Sequence, residues 1–186
     1  MKGDKIEEIR DSADELITTS KFEELTDIDP HQFKFDKTNL NGEYVTKYNN
    51  GNIRTITHYK NGKLDGEYIY YYKNGHPETK CNYKNGKLDG KYEEYYEYGI
   101  YKKCNYKNGK LDGKYEEYHK NGNMFKKCNY KNGKLDGELM LYNKDGSPRK
   151  KYTYKNDILN GECIEYYSNG SIKAKYNYIN DKKNGE

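Results

Sequence analysis

Glycine recurs in this sequence at near-constant spacing, and no long helix is compatible with it. Gly42, Gly66, Gly90, Gly113, Gly137, Gly161 and Gly185 are separated by 24, 24, 23, 24, 24 and 24 residues. A second glycine falls nine residues after each of the first six, at Gly51, Gly75, Gly99, Gly122, Gly146 and Gly170. Segments averaging about twelve residues between turns suit short strands, and glycine at this density weakens or breaks a helix. The turns are Asn50-Gly51, Asn74-Gly75, Asn121-Gly122, Asp145-Gly146 and Asn169-Gly170, alternating with Asn61-Gly62, Asn85-Gly86, Asn108-Gly109 and Asn132-Gly133. Asn-Gly and Asp-Gly accept positive φ and are the strongest short-range hairpin signal. The expected fold is mostly β: an elongated single-layer antiparallel β-meander of about six tandem 24-residue hairpin repeats. Twelve strands at about 4.8 Å spacing would extend roughly 55–60 Å before twist.

Tyrosine supplies what such a sheet needs to bury. Leu, Ile, Val and Phe total only 27 of 186 residues, but 24 residues are Tyr. Few aliphatics with high net charge signal disorder; few aliphatics with many rings and a net charge of +4 do not. A large aliphatic enzyme core is excluded, and no apolar run approaches the roughly 18 residues of a spanning helix. Tyr59, Tyr83, Tyr106, Tyr130, Tyr154 and Tyr178 hold one repeat position, and Tyr44, Tyr68, Tyr92 and Tyr115 hold another, followed there by Leu139 and Cys163. Leu40, Leu64, Leu88, Leu111, Leu135 and Leu159 add an aliphatic stripe. These rows are expected to form the buried rungs. Side chains alternate faces along a strand, so runs such as Tyr70-Tyr71-Tyr72 and Tyr95-Tyr96 must place rings on both faces. Tyr70, Tyr71, Tyr72, Tyr95, Tyr96, Tyr118, Tyr142 and Tyr166 are the candidate partner-binding residues.

The pattern Gly-x-Tyr-x-x-Tyr-Tyr-x-Asn-Gly, followed by Tyr-Lys-Asn-Gly-Lys-Leu-Asp-Gly, resembles the MORN repeat family, and its variant form most closely. Gly66-Glu67-Tyr68, Tyr71-Tyr72, Asn74-Gly75 and Tyr83-Lys84-Asn85-Gly86 carry the resemblance, which extends over residues 39–186. It differs from the standard form in having no Trp and no second glycine in the opening Gly-x-Gly. The resemblance implies a β-hairpin array used for protein binding, scaffolding or membrane attachment. Variant-form proteins are often described as antitoxins, so an antitoxin-like inhibitor of a partner toxin is one implied role.

Residues 1–36 lie outside the repeat and carry the opposite charge. They hold 5 basic and 11 acidic groups, against 29 and 19 in residues 37–186, so the two regions have net charges of −6 and +10. Ile6, Ile9, Ala13, Leu16 and Ile17 follow helical spacing, and Phe22, Leu25 and Ile28 suggest a second short helix before Pro30. The expected organisation is an acidic helical N-terminal cap over 1–36 and the repeat array over 37–186. With no apolar leader at its charged N-terminus, the chain is expected to be cytoplasmic. An open strand edge is expected around 172–179, giving either a protected monomer or a weak edge-mediated dimer.

Chemical sites are not apparent. Cys81, Cys104 and Cys128 occupy one repeat position, two strands apart and too widely spaced for a disulfide or a convergent metal site. With Cys163 they are expected to be small semi-buried thiols in a reducing compartment. His31, His58, His76 and His119 fall at four different phases of the repeat, and Glu93-Glu94 and Glu116-Glu117 are expected to be ordinary strand charges. No catalytic, cofactor or metal residue is assigned, and the protein is expected not to be an enzyme. Lys60, Lys63, Lys84, Lys87, Lys107, Lys110, Lys131 and Lys134 flank one set of turns as a candidate anion-binding rim, partly offset by Asp65, Asp89, Asp112 and Asp136. The first expectation is therefore a non-catalytic scaffold presenting an extended aromatic surface to a protein partner. The alternatives are a tether to anionic membrane lipid through the lysine rim, or a self-associating structural protein. Nucleic acid is not an expected partner, because the basic excess is small.

Overall fold

A two-residue Asn-Gly hairpin closes when both residues take left-handed backbone, and the computed structural model has this geometry at the turns. Asn61 and Gly62 have φ of 49° and 71°, and Asn85, Asn108 and Asn132 repeat the conformation with their glycines. Asn156-Asp157 and Asn180-Asp181 reach it without glycine, with Asp157 at 70° and Asp181 at 63°. The structure describes residues 9–10 and 40–184. The chain divides into a unit up to Lys87 and a unit from Leu88 onward.

In the first unit, β1 (Ile9–Arg10), β2 (Gly42–Lys47), β3 (Ile53–Lys60), β4 (Lys63–Tyr71) and β5 (Pro77–Lys84) lie side by side in chain order. β2 to β5 pair antiparallel, as the meander requires. The second unit contains β6 (Lys87–Tyr95), β7 (Ile100–Lys107), β8 (Lys110–Tyr118), β9 (Met124–Lys131), β10 (Lys134–Leu135) and β11 (Gly137–Tyr142). It continues through β12 (Pro148–Lys155), β13 (Ile158–Tyr166), β14 (Ile172–Ile179) and β15 (Lys182–Asn184). Its strands also follow chain order, except that β10 and β11 share the partner β9.

Among the described residues there is no helix. The helical cap expected over 1–36, and its boundary with the array, lie outside the described residues except at β1. There Ile9 and Arg10 are extended, pairing in parallel with Thr46 and Lys47, and so correct the helical expectation at those two positions. The edge expected to be open around 172–179 is partly covered: β15 pairs Lys182, Lys183 and Asn184 with Ile179, Tyr178 and Asn177.

The expected rungs form. Residues directly opposite on paired strands share a face. The first unit aligns Tyr44–Thr57–Tyr68–Cys81. The second aligns Tyr92–Cys104–Tyr115–Cys128 and Leu139–Tyr152–Cys163–Tyr176. Large rings thus alternate with small residues: Cys81, Cys104, Cys128 and Thr57 are buried together with Tyr44, and the other ring-row tyrosines are half-buried rather than buried as expected. Where a repeat carries both tyrosine positions they meet ring to ring, at 5.4 Å for Tyr44 and Tyr59 and 5.8 Å for Tyr68 and Tyr83, both edge-on. Edge-on packing aligns the positive rim of one ring with the negative face of the other.

Two kinds of turn explain the two glycines per repeat. Around Gly51 the loop has three residues, with Tyr48 N–H donating to Asn52 O (2.8 Å) and Gly51 N–H to Tyr48 O (2.8 Å). The loops at Gly75, Gly122, Gly146 and Gly170 share the glycine bond back to the residue that opens the loop. The Gly99 loop is one residue shorter, with Tyr96 N–H reaching Gly99 O at 2.9 Å. The Leu-Asp-Gly segment latches each two-residue turn to the repeat before it. Gly86 N–H donates to Leu64 O (2.7 Å) while Asn85 N–H donates to an Asp65 carboxylate oxygen (2.9 Å). Leu88 with Asp89 does the same for the turn at Asn108-Gly109, and Leu111 with Asp112 for that at Asn132-Gly133.

Candidate partner-binding surface

Five of the eight candidate tyrosines take one repeat position near the strand end before the three-residue loop. Tyr71, Tyr95, Tyr118, Tyr142 and Tyr166 alternate onto the face of Ile69, Glu93, Glu116, Met140 and Ile164. That face lies opposite the ring rows. Tyr70 shares the row face with Tyr68, while Tyr72 and Tyr96 follow the ends of β4 and β6. All eight are half-buried, with part of each ring open to solvent.

In the second unit several of these rings are held by their hydroxyls. Tyr95 donates to Glu93 Oε2 at 2.7 Å, and Tyr118 to Glu116 Oε2 at 2.8 Å. Tyr96 donates to the Tyr118 carbonyl at 3.3 Å. The row face uses the same device: Tyr92 donates to Glu94 Oε1 at 2.6 Å, and Tyr115 donates to Glu117. Burial first, and then the bond to glutamate, pushes the hydroxyls of Tyr95 and Tyr118 up to about 12. Lysines pack over the rings, with Nζ of Lys102 4.9 Å from the Tyr92 centroid and Nζ of Lys126 4.8 Å from that of Tyr115. Glu93 and Glu116, expected to be ordinary strand charges, therefore fix two of the candidate rings, Tyr95 and Tyr118, and Glu94 and Glu117 fix Tyr92 and Tyr115 on the row face. The signal was a Glu and a Tyr two residues apart, the spacing that puts both on one face.

The most exposed rings were not among the candidates. Tyr98 is 74 % exposed and Tyr167 is 52 % exposed. Tyr98 sits in the shortened loop, at the repeat position where Asn50, Asn74, Asn121, Asp145 and Asn169 accept a bond from the N–H two residues on. A ring cannot make that bond, and the loop there closes one residue sooner.

All eight candidate rim lysines are exposed. Lys60 faces Lys63, Lys107 faces Lys110 and Lys131 faces Lys134 across hairpin necks. The neighbouring aspartates spend their carboxylates on turn N–H groups, so the rim is cationic at its tip with latched anions behind it. Cys81, Cys104, Cys128 and Cys163 are free thiols. Burial pushes the first three up to about 11 and raises Cys163 as well. Among the described residues no group of three or more His, Cys, Asp or Glu side chains is placed to hold a metal ion.

The family model described as MORN repeat variant matches residues 40–61, 64–85, 111–132, 135–156 and 159–180, more than half of the 186-residue chain. Between its second and third matches lies the shortened repeat with Tyr98. The search of curated proteins returned no match.

Proposed function

Because the chain belongs to the MORN repeat variant family, whose repeats generally bind proteins or membranes, we propose that it is a non-catalytic scaffold that captures a protein partner on its aromatic face. The observation that carries this reading is the set of half-exposed rings whose hydroxyls are already bonded, at Tyr95, Tyr96 and Tyr118. A ring fixed before binding loses little entropy on contact, and Tyr is among the residues that dominate interface energy. Inhibition of a toxin by occlusion, as in an antitoxin, is one form of this role. The reading takes the setting to be reducing and cytoplasmic, in keeping with four free cysteines.

The test is capture from cells of the source, comparing the full chain with a Tyr95→Ala, Tyr118→Ala variant and a variant with four rim lysines changed to Gln. The expected result is a partner retained by the wild-type and lysine variants and lost by the tyrosine variant. Equal capture by all three would sink the proposal. Co-expression with a toxin encoded beside it, scored as restored growth, tests the antitoxin form. The exposed lysine pairs at the hairpin necks favour a second reading, attachment to anionic lipid. Vesicle binding lost in the lysine variant and at moderate salt would select it.

A further inference from the structure

Two neighbouring positions on the face opposite the ring rows change character in the middle of the array. One reads Glu43, Glu67, Lys91, Lys114, Glu138 and Glu162 along the repeats. The other, two residues on, reads Val45, Ile69, Glu93, Glu116, Met140 and Ile164. In β11 to β14 the acids are used within the chain: Glu138 pairs with Lys151, and Glu162 with Lys175 at 2.5 Å. Lys103 and Lys127 hold the same repeat position as Lys151 and Lys175, but a lysine stands where their acid would be. Their cross-strand neighbours Glu93 and Glu116 accept the Tyr95 and Tyr118 hydroxyls instead. Among the described residues, the exposed Lys103 and Lys127 have no carboxylate within ion-pairing distance. On the row face Lys102 does have one, with Glu94 at 2.7 Å.

Across β6 to β9 this face has three levels. Tyr95, Ile100, Tyr118 and Met124 form the level nearest the loops. Glu93, Lys103, Glu116 and Lys127 form the middle, and Lys91, Asn105, Lys114 and Asn129 the level toward the rim. Each level complements itself when read backwards. A two-fold axis parallel to the strands, between β7 and β8, lays β9 of one copy on β6 of the other and keeps every level in place. Glu93 then meets Lys127 and Lys103 meets Glu116. Tyr95 meets Met124 and Ile100 meets Tyr118, both favourable apolar contacts. Lys91 meets Asn129 and Lys114 meets Asn105, so no like charges face each other. An axis across the strands would instead set Glu93 on Glu93. The pattern is peculiar to β6 to β9: Met140–Lys151–Ile164–Lys175, read backwards, sets lysine on apolar side chains.

We propose that this face of β6 to β9 binds the same face of a second copy of the chain about that axis. The proposal rests on the reading of Tyr95 and Tyr118 as a binding surface and names what they bind. The patch is four strands wide, roughly 20 Å, and five residues deep, roughly 17 Å, which is below the standard size of a stable interface. The dimer is therefore weak, reversible and sensitive to salt.

The test is sedimentation velocity on the full chain from about 10 μM to about 1 mM, the range in which weak association shows. A reversible dimer is expected, weakened at least about tenfold as salt rises from about 0.05 M to about 0.5 M. Glu93→Lys and Lys127→Glu each set like charges across the axis, and each is expected to be monomeric. Their mixture is expected to dimerise, because each supplies the charge the other lacks. Lys127→Gln removes a charge without setting like charges side by side within one chain, and is expected to weaken the dimer about tenfold. A chain that stays monomeric, a dimer indifferent to Lys127→Gln, or a monomeric mixture of the two charge variants when hydrogen exchange shows both folded overturns the proposal. A monomeric chain that still captures another protein through Tyr95 and Tyr118 overturns it and leaves the partner-binding reading standing. A Tyr95→Ala, Tyr118→Ala variant that dimerises and captures as the wild type does overturns both.

Discussion

The two units share their turns and differ in the middle of their strands. Across β2 to β5 the mid-strand rows read Val45–Ile56–Ile69–Lys80 on one face and Thr46–Thr55–Tyr70–Thr79 on the other. Across β6 to β9 the equivalent rows read Glu93–Lys103–Glu116–Lys127 and Glu94–Lys102–Glu117–Lys126. Apart from Lys80, the first unit fills the positions with apolar and hydroxyl side chains, whereas β6 to β9 fill them with alternating charges on both faces, and β11 and β13 return to Met140, Leu141 and Ile164. The sheet accepts either because cross-strand neighbours need only be complementary. What both units keep is the Asn-Gly turn, the Leu-Asp latch and the ring rows. Those features specify the fold, and the strand middles are left to vary.

Breaking a shared feature should therefore cost most. Gly66 has φ of +120°, and a Cβ there would lie 3.0 Å from the Cβ of His58. Gly161 repeats the situation in the second unit, with φ of +123° and Thr153 Cβ at 3.1 Å. Gly42 has φ of +98° but open space around it. Gly66→Ala and Gly161→Ala are each expected to cost about 2–3 kcal/mol, combining backbone strain with a clash, and Gly42→Ala about 1 kcal/mol. Urea denaturation with hydrogen-exchange readout of each unit measures this. Equal losses at all three positions would show that φ alone matters.

Breaking a unit-specific feature should cost less, and only where it exists. Lys102 Nζ lies 2.7 Å from Glu94 Oε1, and both side chains are mostly covered. Lys102→Glu places a third carboxylate between Glu94 and Glu117 and removes the cation from the Tyr92 ring. The expected cost is roughly 1–2 kcal/mol. Thr55→Glu faces Thr46 and Tyr70 in the neutral row of the first unit, with an expected cost of about 0.5 kcal/mol. Similar costs for both would mean that the charge ladder adds nothing beyond ordinary strand pairing.

The tyrosines sharpen the same comparison by pH. Tyr95 and Tyr118 in the second unit, and Tyr68 in the first, are all raised from 10.0 to about 12. A hydroxyl harder to ionise when folded stabilises the fold below its unfolded pKa. That contribution is lost as pH rises from about 10 through about 12. Burial leads in all three, but only Tyr95 and Tyr118 also bond a glutamate, at Glu93 and Glu116. Glu93→Gln and Glu116→Gln should bring those two down toward the ordinary value while Tyr68 stays put. Ring resonances followed against pH give the result, and a matching fall at Tyr68 would refute the assigned cause.

The turns and rows were legible in the sequence because each rests on local chemistry that repeats. Asn-Gly needs only two residues to announce positive φ, and the 24-residue spacing identifies the ring positions. The role of Asp65 was not legible, because its partner is the N–H of Asn85, twenty residues on. Read as a rim charge it only offsets lysine, whereas in the fold it is an acceptor. Tyr98 was missed for a related reason: its exposure follows from a loop closing one residue early. The sequence showed the shortened repeat but not which side chain it would expose.

The latch offers the smallest effect and a clean separation of fold from surface. In the first repeat the acceptor for the turn N–H is an amide: Asn61 N–H donates to Asn41 Oδ1 at 2.9 Å. Later repeats make the same bond to Asp65, Asp89 and Asp112 at 2.9–3.0 Å. An amide oxygen therefore suffices, and Asp65→Asn, Asp89→Asn and Asp112→Asn should each change stability by less than about 0.5 kcal/mol. Alanine, which removes the acceptor, should cost about 1 kcal/mol. The triple Asn variant strips three negative charges from behind the exposed lysines while leaving the turns closed. If the lysine rim binds anionic lipid, the variant should bind such vesicles more tightly than the wild type, and the gain should disappear at high salt. Unaltered vesicle binding in a variant of unaltered stability would leave the rim lysines as solvated turn residues and the aromatic face as the surface that takes the partner.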